Sequence, residues 1–387
     1  MRLLIVTNEY PPIGGGAGRT AYYLASELSK QGVEVSVLTS KAPHELDLPQ
    51  LPGVTVYRVY SWRKSQHEVG KRGLVVFLML AGLRFISLLL TRKYDLIYYF
   101  ASIPAGLLSV FAPRHASIMG LRGLDVPGRD LDSFALIHKL LKPINLRTWY
   151  WADAVTASSA NLAATAHQHA PDLDIEVFYN GVDETLFFPR SRLHPHPAQH
   201  PFQIIGVSRL IKLKGFQYLI EAMSQLPAGD YHLTLVGKGS YEDELRAQVE
   251  QLGLADRVTF TGYMNHQQMS VLMREMDLFV LPSYGDSYAS AFLEAMASGV
   301  PVVGAATGGA MELIEHGQNG WLVPPKDVNA IVEAIQTLKA DDALRECLRD
   351  NALACIRQEH SWSAYASRHM QLFERIQAQR AQAKSSR

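Results

Sequence analysis

The chain of 387 residues is poor in cysteine, with Cys347 and Cys355 its only two. They stand eight positions apart in a stretch with helical character, which would separate their backbones by about 12 Å, beyond disulfide reach. A reduced, cytoplasmic compartment is the expectation. An excess of charge is missing too: 37 Lys and Arg balance 37 Asp and Glu, so the basic footprint of a nucleic-acid binder is absent and no such partner is expected. Long hydrophobic runs are scarce. The apolar start from Leu3 to Val6 stops at Thr7, Asn8 and Glu9, too short for the apolar region of an export signal. The one membrane-like segment, LVVFLMLAGLRFISLLL at 74–90, carries Arg84 and falls short of about twenty apolar residues, so it is not read as a transmembrane helix. Residue-level repeats and low-complexity tracts are absent as well. With 48% apolar residues, the length suits two domains of ordinary size, each with its own core.

What is present is one rhythm played twice: a short apolar strand, a turn, then a helix with one apolar face, the pattern of an α/β protein with parallel sheets. RLLIVT (2–7), VEVSVLT (33–39), DLIYYF (95–100), HASIMGL (115–121) and DAVTAS (153–158) read as strands of a first sheet. FQIIGVS (202–208), HLTLVG (232–237), VTFTG (258–262), LFVLPS (278–283) and VPVVGA (300–305) read as a second. The expected organisation is a Rossmann-like domain at 1–183, a proline- and histidine-rich linker at 184–201, a second Rossmann-like domain at 202–360, and a closing helix with a frayed tail at 361–387. Two doubly wound domains of this kind would face each other across a central cleft, where ligands meet the carboxyl ends of the strands.

Three segments carry candidate chemistry. The first turn places Gly14, Gly15, Gly16 and Gly18 between a strand and a helix, so that backbone amides could approach a phosphate; a bland tight turn is the competing reading. A dinucleotide fingerprint does not fit, because Arg19 occupies the place of its third glycine. In VSRLIKLKG, Arg209 and Lys214 supply positive charge of the kind a departing diphosphate needs, against a solvated basic loop. In PSYGDSYASAFLEAM a helix is expected to start near Ser287 with Asp286 at its mouth and Glu294 about two turns further on, either a cap and a salt-bridge partner or a site for phosphate and sugar hydroxyls. Metal ligation is not expected, since the only histidine cluster, His194, His196 and His200, lies in the linker.

Taken together, YPPIGGGAGRTAYYLASELSKQGVEVSVLTS, YNGVD (179–183), SRLIKLKG, LVGKGSYEDELRAQVEQLGLADRVTFTGYM and PSYGDSYASAFLEAMASGVPVV resemble the retaining glycosyltransferases of family 4, the glycosyl transferases group 1, over nearly the whole chain. The resemblance implies a GT-B fold, a C-terminal helix that returns to the N-terminal domain, and a nucleotide-diphosphate sugar donor used without a metal or other cofactor and with retention of configuration. By the same resemblance Arg209 and Lys214 hold the diphosphate, Gly15 and Gly16 approach it, Glu294 binds the ribose, Asp286 the transferred sugar, and the backbone near Tyr263 and Met264 the base. Ser287, Tyr288, Ala289 and Ser290 line the same donor site. The family usually has glutamate at the position of Asp286, and histidine at that of Arg122 in MGLRGLDVPG, whose Asp125 matches the family's aspartate. Arg122 and Asp125 are therefore candidates for catalysis or for an acidic acceptor, against an ion pair that only shapes the loop.

The implied function is transfer to a saccharide or lipid-linked saccharide acceptor, in cell-surface polysaccharide or glycolipid synthesis. A GT-B epimerase or hydrolase and a non-catalytic nucleotide-sugar-binding subunit are the alternatives. Eight basic residues and one acidic residue, Glu68, lie between Arg58 and Lys93 around the apolar run. That suits an interfacial segment on anionic lipid with Trp62 as anchor, and equally a core helix with basic ends. Residues 1–130 hold fifteen basic and nine acidic side chains and the rest twenty-two and twenty-eight, so neutrality conceals a polarised chain. The positive half favours an anionic membrane or a phosphate-bearing carrier as partner.

Overall fold

The computed structural model describes residues 1–13, 16–42, 51–63, 70–123, 125–127, 135–190, 201–285 and 290–385. It divides into two units, Met1–Asn180 with Trp362–Arg387, and Gly181–Ser361. The division falls inside YNGVD.

Among the described residues the first unit holds seven strands: β1 Arg2–Val6, β2 Glu34–Ser40, β3 Val54–Val59, β4 Leu96–Tyr99, β5 Ser117–Leu121, β6 Ala154–Ala157 and β7 Ile175–Val177. They form an all-parallel sheet in the order β3-β2-β1-β4-β5-β6-β7. The second unit holds β8 Phe202–Val207, β9 Tyr231–Val236, β10 Val258–Gly262, β11 Leu278–Leu281, β12 Val302–Ala305 and β13 Trp321–Val323, also parallel, in the order β10-β9-β8-β11-β12-β13. Central strands such as LIYY of β4 and LFVL of β11 are buried along their whole length because helices cover both faces, which is why they read as continuous apolar runs. Strands β3, β7 and β13 were not expected. All three lie at sheet edges, and β3 is mostly half-exposed, so its pattern is mixed rather than apolar.

The helices follow from apolar spacing and caps. Phe216–Gln225 buries Phe216, Leu219, Ile220 and Met223, one stripe at helical spacing. Asp327 caps Val328–Ala340 by accepting the Ala330 N–H at 3.0 Å, and Ser159 caps Ala160–His167 through the Leu162 N–H at 3.1 Å. Cys347 and Cys355 are free thiols on Asp342–Glu359.

Two expectations are corrected. The linker was placed at 184–201, but within the described part Phe187 is buried in the core of the second unit; 191–200, with His194, His196 and His200, lies outside the described residues. The last residues, AQAKSSR at 381–387, were expected to fray, yet the last helix runs from Trp362 to Ser385. Arg380 explains the extension: its Nε and Nη2 grip both Asp153 oxygens at 2.7 and 2.9 Å, and its Nη1 and Nη2 donate to the Arg114 and His115 carbonyls. At its other end Trp362 stacks on Tyr23 with ring centroids 4.8 Å apart. This helix therefore belongs to the first unit, packed on Gly16–Lys30.

The apolar run forms the helix Lys71–Thr91, the one helix among the described residues long and apolar enough to cross a membrane by length and composition. One face carries Phe77, Ala81, Phe85 and Leu88 into a core with Tyr99 and Met119. The other leaves Met79, Leu83 and Leu90 exposed by 66%, 68% and 82%. It is a core helix on one side and an uncovered apolar face on the other.

Candidate functional site

In a doubly wound sheet the crevice for ligands opens where neighbouring strands send their chains in opposite directions. In the second unit this point lies between β8 and β11. The loop after β8 carries Arg209 and Lys214, and the loop after β11 leads into the helix Ser290–Ala297 that carries Glu294. Both basic residues and the carboxylate thus belong to one edge of one sheet, although about eighty positions separate them in sequence.

The edge is locked by close backbone approach. Gly237 has φ +138°, and a Cβ there would lie 1.9 Å from the Ser208 carbonyl oxygen. Gly215 has φ +75°, and a Cβ there would lie 2.1 Å from the Pro282 oxygen. Only glycine permits either contact. Across the same seam the Tyr284 N–H and the Ser283 hydroxyl donate to the Leu213 carbonyl at 3.1 and 3.2 Å, and the Leu210 N–H donates to Lys238 O at 3.0 Å. The loop holding Arg209 and Lys214 is therefore clamped by its neighbours after β9 and β11. Arg209 is exposed, whereas Lys214 is only 7% exposed.

Glu294 is buried on its helix, and its Oε1 lies 3.2 Å from Nε2 of His266, the first residue of the helix His266–Met273. Asn265 and Gln268 form a capping box that fixes this helix start, and Phe187 meets the His266 ring edge-on. Sequence reading did not single out His266. Its only local signal is the capping pattern N-H-Q-Q, which marks a helix start and says nothing of Glu294. Tyr263 is exposed and Met264 is packed against the core just before it. Ser290 opens its helix, while Asp286, Ser287, Tyr288 and Ala289 lie outside the described residues, as does Gly15.

In the first unit the corresponding point lies between β1 and β4, and Gly16 opens the helix that follows β1. A Cβ at Gly16 would meet no atom within 4 Å.

Arg122 and Asp125 make contacts that the sequence did not suggest. The Asp125 carboxylate accepts the N–H groups of Ser102 at 2.7 Å, Gly123 at 2.8 Å and Arg122 at 2.9 Å, and it ties two loops together. The Arg122 guanidinium lies over the Phe100 ring at 3.7 Å and donates to the hydroxyls of Tyr98 at 2.9 Å and Tyr365 at 3.2 Å. Asp125 shapes its loop through backbone amides, and no side-chain ion pair with Arg122 is found among the described residues. Arg122 instead fastens the last helix to the sheet. His369 completes the cluster: Nδ1 donates to the Tyr365 carbonyl at 2.8 Å, and Nε2 lies 3.3 Å from the Tyr98 hydroxyl. Burial, opposed by that backbone bond and reinforced by the nearby Arg122 and Arg368 charges, lowers its pKa to about 3, so the ring is neutral.

Among the described residues no group of three His, Cys, Asp or Glu side chains is placed to hold a metal ion. Two doubly wound parallel sheets, with a clamped basic edge at the ligand-binding end of the second, define a two-domain α/β fold of the GT-B glycosyltransferase class. Comparison with known proteins agrees. Residues 14–186 match the profile of Glycosyltransferase Family 4 and residues 192–354 that of Glycosyl transferases group 1. The chain is 28% identical to an uncharacterised glycosyltransferase of Methanocaldococcus jannaschii, covering 97% of this chain and 98% of the relative. It is 27% identical to the N-acetyl-alpha-D-glucosaminyl L-malate synthase of Bacillus anthracis, over 94% and 96%. Among solved structures, a sucrose-phosphate synthase from Thermosynechococcus elongatus superposes with a TM-score of 0.82 at 23% identity, over 97% and 99% of the two chains. Anabaena HepE in complex with UDP and glucose gives 0.71 at 24% identity, over 97% and 99%. The chain belongs to the family 4, group 1 glycosyltransferases and is a glycosyltransferase.

Proposed function

We propose that this enzyme transfers a sugar from a nucleotide-diphosphate donor to a saccharide or lipid-linked saccharide acceptor, with retention of configuration and without a metal. The observation that carries the reading is that one loop at the carboxyl edge of β8, held by glycine contacts, carries both a buried Lys214 and an exposed Arg209. Cations fixed in advance neutralise the charge that develops on a departing diphosphate, with no reorganisation at the moment of reaction. Glu294, steadied by His266, is placed to accept hydrogen bonds from vicinal hydroxyls such as those of a ribose. The solved relative that holds UDP and glucose supports a nucleotide sugar as donor. Relatives named as colanic acid biosynthesis glycosyltransferases and as a phosphatidylinositol monomannoside mannosyltransferase support polysaccharide or glycolipid synthesis.

The acceptor side of the reading is a cytoplasmic enzyme attached peripherally to anionic membrane. It is supported by the uncovered face of Lys71–Thr91 and by the 105–111 turn, whose Leu108 and Phe111 lie against Gly82 of that helix. The helix Ala135–Trp151 packs on the same turn and exposes Leu140 and Ile144. None of these three segments contains a carboxylate, while two of them carry Lys71, Arg72, Arg84, Lys139, Lys142 and Arg147. An apolar face with only positive charge around it suits a bilayer of anionic lipid.

Lys214→Ala and Glu294→Ala should each lower transfer by at least about a hundredfold. Turnover of a labelled donor with and without acceptor measures this and separates transfer from hydrolysis. Full activity in both variants would overturn the donor assignment.

A further inference from the structure

The carboxyl ends of β1 and β3 hold two arginines whose charge nothing nearby fully answers. Arg63 is only 8% exposed. Its Nη2 donates to the Asn8 carbonyl at 3.0 Å, but its Nε and Nη1 are buried with no hydrogen-bond partner. Arg58, half-exposed at the end of β3, donates through Nη2 to the Pro11 carbonyl at 2.8 Å and leaves Nη1 buried and unpaired. Both side chains reach the same loop after β1, and Arg58 lies 5.9 Å from the centre of the Tyr10 ring. In the same region the hydroxyls of Tyr10 and Ser61 are also buried, with no partner among the described residues.

A guanidinium is always charged, and leaving its donors dry and unpaired is among the costlier arrangements a fold can keep. Burial works against the Arg63 charge, and Glu9 offsets part of that cost electrostatically. The backbone adds to the cost. Trp62 sits at φ +47°, a conformation bulky residues avoid, and this turn directs Ser61 and Arg63 inward while Tyr60 and Trp62 stay exposed. Four side chains, two of them cationic, keep unmet hydrogen-bonding capacity among the described residues at the ligand-binding end of a doubly wound sheet.

We propose that the carboxyl edge of β1 and β3 binds an oxyanion of the phosphate class, held by Arg58 and Arg63 and bonded by the hydroxyls of Tyr10 and Ser61. Two planar forks meeting one tetrahedral anion give charge-assisted bonds that the hydroxyls complement. The anion arrives on the side where Arg58 is open to solvent. Its assignment as part of the acceptor rests on the glycosyl-transfer reading above; the existence of the anion site does not.

The test uses the full chain and inorganic phosphate, with binding read by calorimetry and by the rise in melting temperature. Arg63→Met and Arg58→Met should each weaken phosphate binding about tenfold to a hundredfold. Without phosphate, Arg63→Met should melt no lower than the parent, since it removes an uncompensated buried charge; this keeps loss of binding distinct from loss of fold. Phosphate binding that survives both variants but is abolished by Lys214→Ala would place the anion in the second unit and overturn the proposal, as would no binding by the parent. Vesicles of phosphatidylglycerol against phosphatidylcholine locate the anion. If Arg63→Met also weakens vesicle binding, the phosphate is lipid-borne; if vesicle binding is unchanged while inorganic phosphate is lost, it belongs to a soluble acceptor. Variants that lose phosphate but transfer sugar at the parental rate would separate the site from the acceptor and leave the anion site standing.

Discussion

The two sheets end differently at their carboxyl edges. In the second unit the edge is tied by its own backbone: Gly215 and Gly237 let neighbouring loops touch carbonyls, and Leu213 receives both a hydroxyl and an N–H from the loop after β11. In the first unit the loops after β1 and β3 meet through arginine side chains that reach one carbonyl each and leave other donors unmet. The first arrangement is finished without a ligand and suits a recurring group such as a diphosphate, whose charge and shape do not vary. The second stores its capacity in side chains, which differ readily between relatives, and so suits the partner that distinguishes one enzyme from another.

The comparison can be broken most severely at Gly237. A Cβ at φ +138° and 1.9 Å from a backbone oxygen cannot be relieved by a rotamer change, so Gly237→Ala should destabilise the second unit by about 3 kcal/mol or more. Denaturant unfolding should show this loss confined to the second unit's transition, and a parental melting curve would mean the seam is loose. Next comes Arg122→Met, which orphans the Tyr365 hydroxyl and removes a cation packed on Phe100. A loss of about 2 kcal/mol is expected, with faster hydrogen exchange in the last helix and an unchanged KM for the donor. A raised donor KM at unchanged stability would restore the sugar-contact role that the sequence suggested for Arg122.

The same contrast can be sharpened through pH, where the effect near neutral pH is nil and grows with acidity. With its pKa lowered to about 3, His369 stays neutral in the folded first unit, while in the unfolded chain it takes a proton near 6.5. The unfolded state therefore binds more protons between those values. This contribution is full above about pH 6.5 and is lost at about 1.4 kcal/mol per unit as pH falls toward 3. His369→Gln should flatten this part of the stability profile, measured by urea unfolding at several pH values.

How much could be read without coordinates varies by residue. Arg209 and Lys214 were legible because the chemistry of a basic turn after a strand is local, and their spacing is written in nine consecutive residues. His266 was not, because its partner Glu294 lies on another helix and neither neighbourhood encodes the other. Arg122 was read for its charge, but its tyrosine contacts were not legible: Tyr365, which takes its hydrogen bond, stands 243 positions away, and Tyr98 and His369 stand 271 apart. Arg58 and Arg63 appeared only as members of a basic stretch, since whether an arginine is solvated or buried depends on what the fold lays over it.

The sequence by itself determined the alternation of strands and helices, the two-unit α/β plan and the basic loop after β8, because apolar periodicity and turn chemistry act between near neighbours. The tertiary structure decided which charged groups are satisfied. It gave Asp125 to three backbone amides, Arg122 to two tyrosines and Glu294 to His266, and it left Arg63 with two buried donors unanswered. The physical reason is that hydrogen bonds and ion pairs form between atoms a few ångströms apart in space, and only folding sets which distant segments come that close.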